Sequence, residues 1–271
     1  MRVVKYSYYL KSIFNLLTKF ENPGLILRMF LGKPRDQLAE IGLRGGDLRF
    51  YVRGTMDIWS IKETFIDRFY ERFGTPIQDG WTIIDIGAGL GDYAIFATNN
   101  YPSNRVFAYE PFHQSYTMLQ KNLQLNRVVG VKTFKQAVSG QTGVILLDLS
   151  GGEPLQITSA EIESDVEAQA DRLIVDSLSL TDVLEFNNIT TCDLLKLDCE
   201  GAEYEIIFFA GEAVLDRINR IVMEYHDGVT KHDHKEMVEY LQSHGYRVSI
   251  SPNYVHADLG YLYAYRESFH P

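Results

Sequence analysis

Apolar residues recur at three- and four-residue intervals through Tyr6, Tyr9, Leu10, Ile13, Phe14, Leu17 and Phe20, one stripe of a helix. Asn22-Pro23-Gly24 stops it, and a second short apolar segment, Leu25 to Leu31, ends at Gly32-Lys33-Pro34. After a Gly45-Gly46 turn, Asp47 to Arg53 alternates like a strand. Ile58 to Phe73 reads as one further amphipathic helix.

The rhythm changes at Trp81. Trp81–Ile86, Arg105–Glu110 and Val131–Val138 are short apolar runs that predict strands. Between them, Tyr93–Thr98 and Gln114–Asn126 have helical spacing. Such a βαβαβ order predicts a mainly parallel sheet with helices on both faces. Gly143–Leu149, Leu173–Leu178, Asp193–Asp198, Arg220–His226, Tyr246–Ile250 and Gly260–Tyr265 are predicted as further strands. Ala202–Ala210 and Lys235–His244 are predicted helices, and Ser150–Arg172 an acidic surface excursion. We expect residues 1–78 to form a mainly helical extension with a short strand, and 79–271 the doubly wound α/β domain.

Charge sharpens that division. The chain carries −10 overall, whereas residues 1–36 carry seven Lys/Arg against two Asp/Glu, leaving −15 on the remainder. An acidic body argues against a nucleic-acid partner, which demands a basic surface. The 271 residues contain two cysteines, Cys192 and Cys199, too few for a disulfide framework. They suit a reducing compartment, and a cytoplasmic location is expected. No apolar run reaches the roughly 18 residues of a membrane span. A helix as short as Tyr6–Phe20 is marginal alone, so its stripe must be covered. The catalytic domain, a homodimer partner or a membrane surface could do so, and packing is favoured.

Asp85-Ile86-Gly87-Ala88-Gly89-Leu90-Gly91-Asp92 follows the first strand of the sheet and opens a helix. Glycines there let the backbone turn tightly and approach a ligand. Glu110 ends the next strand, placed to accept hydrogen bonds from the two ribose hydroxyls of an adenosine. A dinucleotide fingerprint would have glycine where Asp92 stands. Carboxylates at Asp85 and Asp92 would repel a pyrophosphate and suit the ammonium and sulfonium of S-adenosylmethionine.

A second constellation falls on the same sheet edge. Lys196-Leu197-Asp198-Cys199-Glu200-Gly201-Ala202-Glu203 ends one strand, and Met223-Glu224-Tyr225-His226 ends the next. Lys196, on a buried strand, is expected to pair with a carboxylate. With Asp85–Gly89, Glu110-Pro111 and Ala137-Val138-Ser139, these runs resemble the FkbM-type methyltransferase family from about Leu43 to Tyr265. The family often has Val or Ile at Cys199 and Asn at Gly89, mild departures. The resemblance implies a Rossmann-like class I fold: a seven-stranded sheet with its last strand inserted antiparallel. It implies cofactor contacts from Asp85, Gly87, Ala88, Gly89, Gly91, Asp92, Tyr93, Glu110, Pro111, Phe112, Gln136, Ala137 and Asp198, with Glu63 reaching in from the preceding helix. It also implies an acceptor hydroxyl on a saccharide, glycan, glycolipid or secondary metabolite.

A hydroxyl needs a base within hydrogen-bond reach. His226 is favoured because an imidazole titrates near physiological pH, with Glu224 and Asp198 as alternatives. Asp198 and Glu224 could instead hold Mg²⁺ through oxygen ligands, but there is no dense metal motif and no resident metal is expected. His232-Asp233-His234 is read as solvated, because ring positions two apart on a helix diverge. N-methylation, and a non-catalytic S-adenosylmethionine-binding module, stay open as alternatives.

Overall fold

The computed structural model describes residues 2–32, 38–149, 158–160, 172–253 and 255–267. The chain opens with helix α1 (Arg2–Lys19) and α2 (Pro23–Phe30), then the antiparallel pair β1 (Ala39–Gly42) and β2 (Arg49–Val52). Helix α3 (Thr55–Lys62) runs into a π-helical turn (Glu63–Asp67) and a short α4 (Phe69–Arg72). The sheet region follows as β3 (Thr82–Ile86), α5 (Asp92–Asn99), β4 (Arg105–Tyr109), α6 (His113–Leu125) and β5 (Val131–Phe134). Next come β6 (Ala137–Ser139), β7 (Gly143–Asp148), β8 (Thr158–Ala160), β9 (Arg172–Ser179) and α7 (Leu180–Phe186). The chain continues through β10 (Leu194–Leu197), α8 (Glu203–Phe208), α9 (Glu212–Leu215), β11 (Arg220–His226) and α10 (His234–Ser243). It closes with β12 (Tyr246–Pro252) and β13 (Leu259–Arg266).

Seven strands form the main sheet in the order β12-β13-β11-β10-β3-β4-β5. Its centre is parallel, and β13, the last strand, slots between β12 and β11 antiparallel to both. This is the class I topology that the resemblance implies. Central strands of a parallel sheet are covered on both faces and read as continuous apolar runs. Thr82–Ile86 is buried at every position, with Asp85 the one charged residue.

The structure corrects four expectations. Val131–Val138 is two strands, β5 in the main sheet and β6 in a separate four-stranded sheet of order β6-β9-β7-β8. Ile58–Phe73 is not one helix: the π turn, closed by Arg68 at φ 51°, breaks it. Of Ser150–Arg172, only Thr158–Ala160 and Arg172 lie within the described residues, and both belong to the smaller sheet.

The fourth correction concerns α1. Its predicted stripe does not pack on the body: Tyr6, Leu10, Ile13, Phe14 and Leu17 face outward, and only Phe20, just past the helix, is buried. The inward face is instead Ser12, Asn15 and Leu16, with Tyr8 half-buried. Two anchors set this rotation. Phe20 bridges Leu43, and Arg44 N–H donates to Lys19 O at 2.8 Å. Near the other end, the Tyr8 hydroxyl donates to Glu63 Oε1 at 3.1 Å.

The first ~60 residues share a core with the sheet region. Leu16, Phe20, Ile41, Phe50 and Ile58 cluster with Leu90, Ile95 and Met118. Asn122 of α6 stitches them: it accepts from Tyr51 N–H at 2.7 Å and donates to Leu90 O at 3.0 Å, directly behind the glycine loop.

Candidate active site

A cleft of about 490 Å³ opens at the carboxyl ends of β3, β4, β10 and β11, where open α/β sheets bind ligands. Its floor is the glycine loop. Gly87 sits at φ +76°, and a Cβ there would lie 1.7 Å from Asp198 O, so the loop crosses the end of β10 in contact that only glycine allows. Gly91 is needed for packing, since its Cβ would meet Leu119 at 2.5 Å.

Register puts Lys196 of β10 beside Asp85 of β3. Nζ lies 3.1 Å from Asp85 Oδ1 and donates to Gly87 O at 2.8 Å, tying the loop to the sheet. Burial would drive a lysine towards neutrality, but Asp85, Asp198 and Asp92 more than offset it and hold its pKa above the ordinary value. The expected carboxylate partner is therefore present.

Just past the end of β4, Glu110 is buried. Oε2 accepts from Gly89 N–H at 2.8 Å and Oε1 from Phe112 N–H at 2.9 Å. Each oxygen keeps a second lone pair for a ribose hydroxyl. Burial, against the pull of those two N–H groups, lifts the carboxyl to about 7. Pro111, Phe112, Ala137, Tyr93, Gly87 and Gly89 line the same region. Among the described residues, Lys196 is the only lysine or arginine in the lining and is already paired, so a pyrophosphate would meet carboxylates without a described cation to answer it. The residues present fit S-adenosylmethionine.

The opposite wall carries Asp198, Glu200, Glu224 and His226. His226 is buried, with Nδ1 3.2 Å from Glu203 Oε1 and Nε2 3.4 Å from Glu200 Oε2. Glu203, fully buried at the start of α8, also accepts from Cys199 N–H and Gly201 N–H at 2.7 and 2.8 Å. Burial disfavours its charge, yet His226 and the backbone donors hold its pKa below the ordinary value. His226 moves the other way: despite burial, Glu203, Glu200 and Glu224 hold its pKa well above that of a free imidazole. Glu200, at φ 53°, is pushed by burial to about 7. Burial, Asp198 and Glu63 push Glu224 well above its usual range. The Tyr70 hydroxyl donates to Asp198 Oδ2 at 2.6 Å.

The cleft thus brings together Glu63, Gly87, Gly89, Asp92, Tyr93, Glu110, Pro111, Phe112, Ala137, Asp198, Glu224 and His226. Four residues expected at the cofactor do not line it. Asp85 lies beneath the loop on Lys196, Ala88 is buried, Gly91 packs on α6, and Gln136 sits between β5 and β6. Asp92 lines the cleft but its Oδ2 accepts from the Ser60 and Thr64 hydroxyls, so its charge is answered from within. Sequence reasoning missed Trp59, Tyr70 and Glu200 as cleft residues. Glu200 was legible as the middle acid of the Lys-x-Asp-x-Glu-Gly-Ala-Glu run; Trp59 and Tyr70 belong to no motif.

His232 and His234 are not simply solvated. Each pairs with a carboxylate, Glu236 at 2.7 Å and Asp227 at 2.5 Å, and Asp233 caps α10. Ligand atoms of Asp198, Glu200 and His226 lie within 4.8 Å of one another, a different trio from the expected Asp198–Glu224 pair. No helix of the described residues is long and apolar enough to cross a membrane.

The inserted antiparallel strand, the glycine loop and Glu110 together define a class I methyltransferase. Residues 85–248 match the Methyltransferase FkbM domain, and the chain belongs to that family of S-adenosylmethionine-dependent enzymes. It is 27% identical over 240 residues to the 31-O-demethyl-FK506 methyltransferase FkbM of Streptomyces tacrolimicus, covering 79% of this chain and 90% of that one. It is 27% identical over 214 residues to Methyltransferase 1 of Beauveria bassiana, covering 73% and 84%. Among solved structures, the FkbM methyltransferase of Methylobacillus flagellatus superposes with a TM-score of 0.51 at 15% identity, over 73% of this chain and 47% of that chain.

Proposed function

We propose that this enzyme O-methylates a hydroxyl of a secondary metabolite or saccharide, with the Glu200–His226 pair taking up the hydroxyl proton. The observation that carries the reading is the 3.4 Å contact between Glu200 and an imidazolium locked from behind by Glu203. S-adenosylmethionine, held by Glu110, the glycine loop and Ala137, supplies a methyl group activated by its sulfonium. The protein's own work is to align the acceptor oxygen, exclude water and accept the proton. Glu200 has its carboxyl near 7, the range in which a base exchanges protons at neutral pH. His226, 3.4 Å away, orients it. Oxygen as the target agrees with the FkbM relative, whose name makes an O-demethyl compound its methyl acceptor.

The test supplies labelled S-adenosylmethionine and a panel of polyhydroxylated polyketides and glycosides, then locates the label by mass spectrometry. We expect it on oxygen, with turnover rising as pH climbs through about 7 because Glu200 must be ionised to act. Label on an amine nitrogen would overturn the reading. So would activity that collapses with EDTA and returns with Mg²⁺, which would move the proton loss to a bound cation.

A further inference from the structure

Among the described residues, the outward face of α1 stays exposed. Tyr6 and Leu10 are each 69% exposed, Phe14 64%, Ile13 54% and Leu17 42%. Their spacing makes one continuous stripe along the helix, nearly opposite the Ser12–Asn15–Leu16 side that packs inward. Helix α2, which packs against α1, adds Leu27 and Phe30, at 51% and 42%. Exposed large hydrophobics elsewhere among the described residues are mostly single, as at Val129, Phe186, Phe209 and Val229, with Val144 and Ile174 the pair on adjacent strands β7 and β9. An apolar face concentrated in one helix pair marks an interaction surface.

Charge selects the occupant. Residues 1–36 carry a balance of +5 on a chain whose remainder carries −15. Lys11, Lys19 and Arg28 of these two helices are exposed. A second copy docking by two-fold symmetry would set the same basic segment against itself. Docked head to tail, it would need an apolar patch on an acidic body that offers mostly single residues. An anionic lipid surface satisfies both features at once: the stripe enters the acyl boundary while the basic residues meet the headgroups. The −15 balance of the remaining chain disfavours the rest of the surface against such a membrane and so favours this orientation.

We propose that α1 and α2 form an interfacial anchor that docks the enzyme on anionic membranes through Tyr6, Leu10, Ile13, Phe14 and Leu17. The helix stays folded on the body through Phe20 and Tyr8, so docking needs no unfolding. Aromatic side chains at such a boundary are favoured by their amphipathic rings.

Sedimentation with vesicles of phosphatidylcholine alone, or with phosphatidylglycerol, tests this on the full chain. We expect binding to the anionic vesicles, at least tenfold weaker on the neutral ones, and weakened by salt. Leu10→Glu with Phe14→Glu, both on the exposed face, should lower partitioning at least tenfold while S-adenosylhomocysteine binding is unchanged, which shows that the fold is intact. Failure of the wild-type chain to bind anionic vesicles at low ionic strength overturns the proposal. So does a wild-type dimer by analytical ultracentrifugation that these substitutions dissociate, since a second copy would then cover the face. Neither outcome bears on methyl transfer, which is read separately.

Discussion

Two buried cation–carboxylate groups stand about the same cleft and behave differently. On one side Lys196 faces Asp85 beneath the glycine loop, with Asp198 3.8 Å away. On the other His226 lies between Glu203 and Glu200. The lysine's charge is locked, because neighbouring carboxylates raise its pKa above an already high value. It holds a backbone carbonyl and exchanges nothing. The imidazole group shares its charge with one acid held below its usual range and another lifted to about 7. The first group is built as scaffold and the second, on the proposed function, takes up the proton; what separates them is the intrinsic pKa of the cation.

The largest way to break the comparison is Lys196→Met. It strands Asp85 without its partner at zero exposure, and the cost to stability is expected to be about 3–5 kcal/mol, read by urea unfolding. Removing the acid from the other group, Glu200→Gln, should leave stability near wild type but lower turnover by about 10²–10³. The rise in rate through about 7 should vanish with it. A drop below about threefold would shift the role to Glu224 or Asp198.

Glu110 sharpens the contrast from the cofactor wall. Glu110→Ala should cost about 1.5–3 kcal/mol of S-adenosylhomocysteine affinity, measured by calorimetry. The sign of the pH effect is fixed. Ribose hydroxyls donate to the ionised carboxylate, so binding releases a proton from a group near 7. Affinity should therefore rise about tenfold from about pH 6 to about pH 8, and Glu110→Gln should flatten it. The smallest expected effect is Tyr70→Phe. It removes one hydrogen bond to Asp198, for about 1–1.5 kcal/mol in turnover with cofactor affinity kept.

The alternating sheet region was legible because a parallel strand buried on both faces leaves a plain apolar run, and because Asp85–Asp92 and Glu110 occupy fixed ends of such runs. Less local features were not. Val131–Val138 has no glycine or proline to show that the chain changes sheets at Lys135-Gln136. Helical spacing revealed α1 but not its rotation: the more apolar face points outward, and Ser12 and Asn15 are buried, because distant anchors at Leu43 and Glu63 decide which side turns in. Glu200 stood inside a run recognised as distinctive, yet its proximity to His226 depends on the end of a neighbouring strand.

The π turn at Glu63–Asp67 acts as a phase shift in an otherwise periodic segment. One residue more than an α-helical register needs is accommodated there, and each residue advances a helix by about 100°. Trp59 before the turn, Glu63 at its start and Tyr70 after it share the cleft; an unbroken helix would also set the three within about 40° of one another, but here the chain passes between them through the π turn and the left-handed Arg68. Acceptor choice in such a segment is adjustable in whole steps. Losing a single residue re-clocks the Tyr70 side relative to the Trp59 side without touching the sheet, so insertions and deletions here change the shape of the cleft more than point substitutions do.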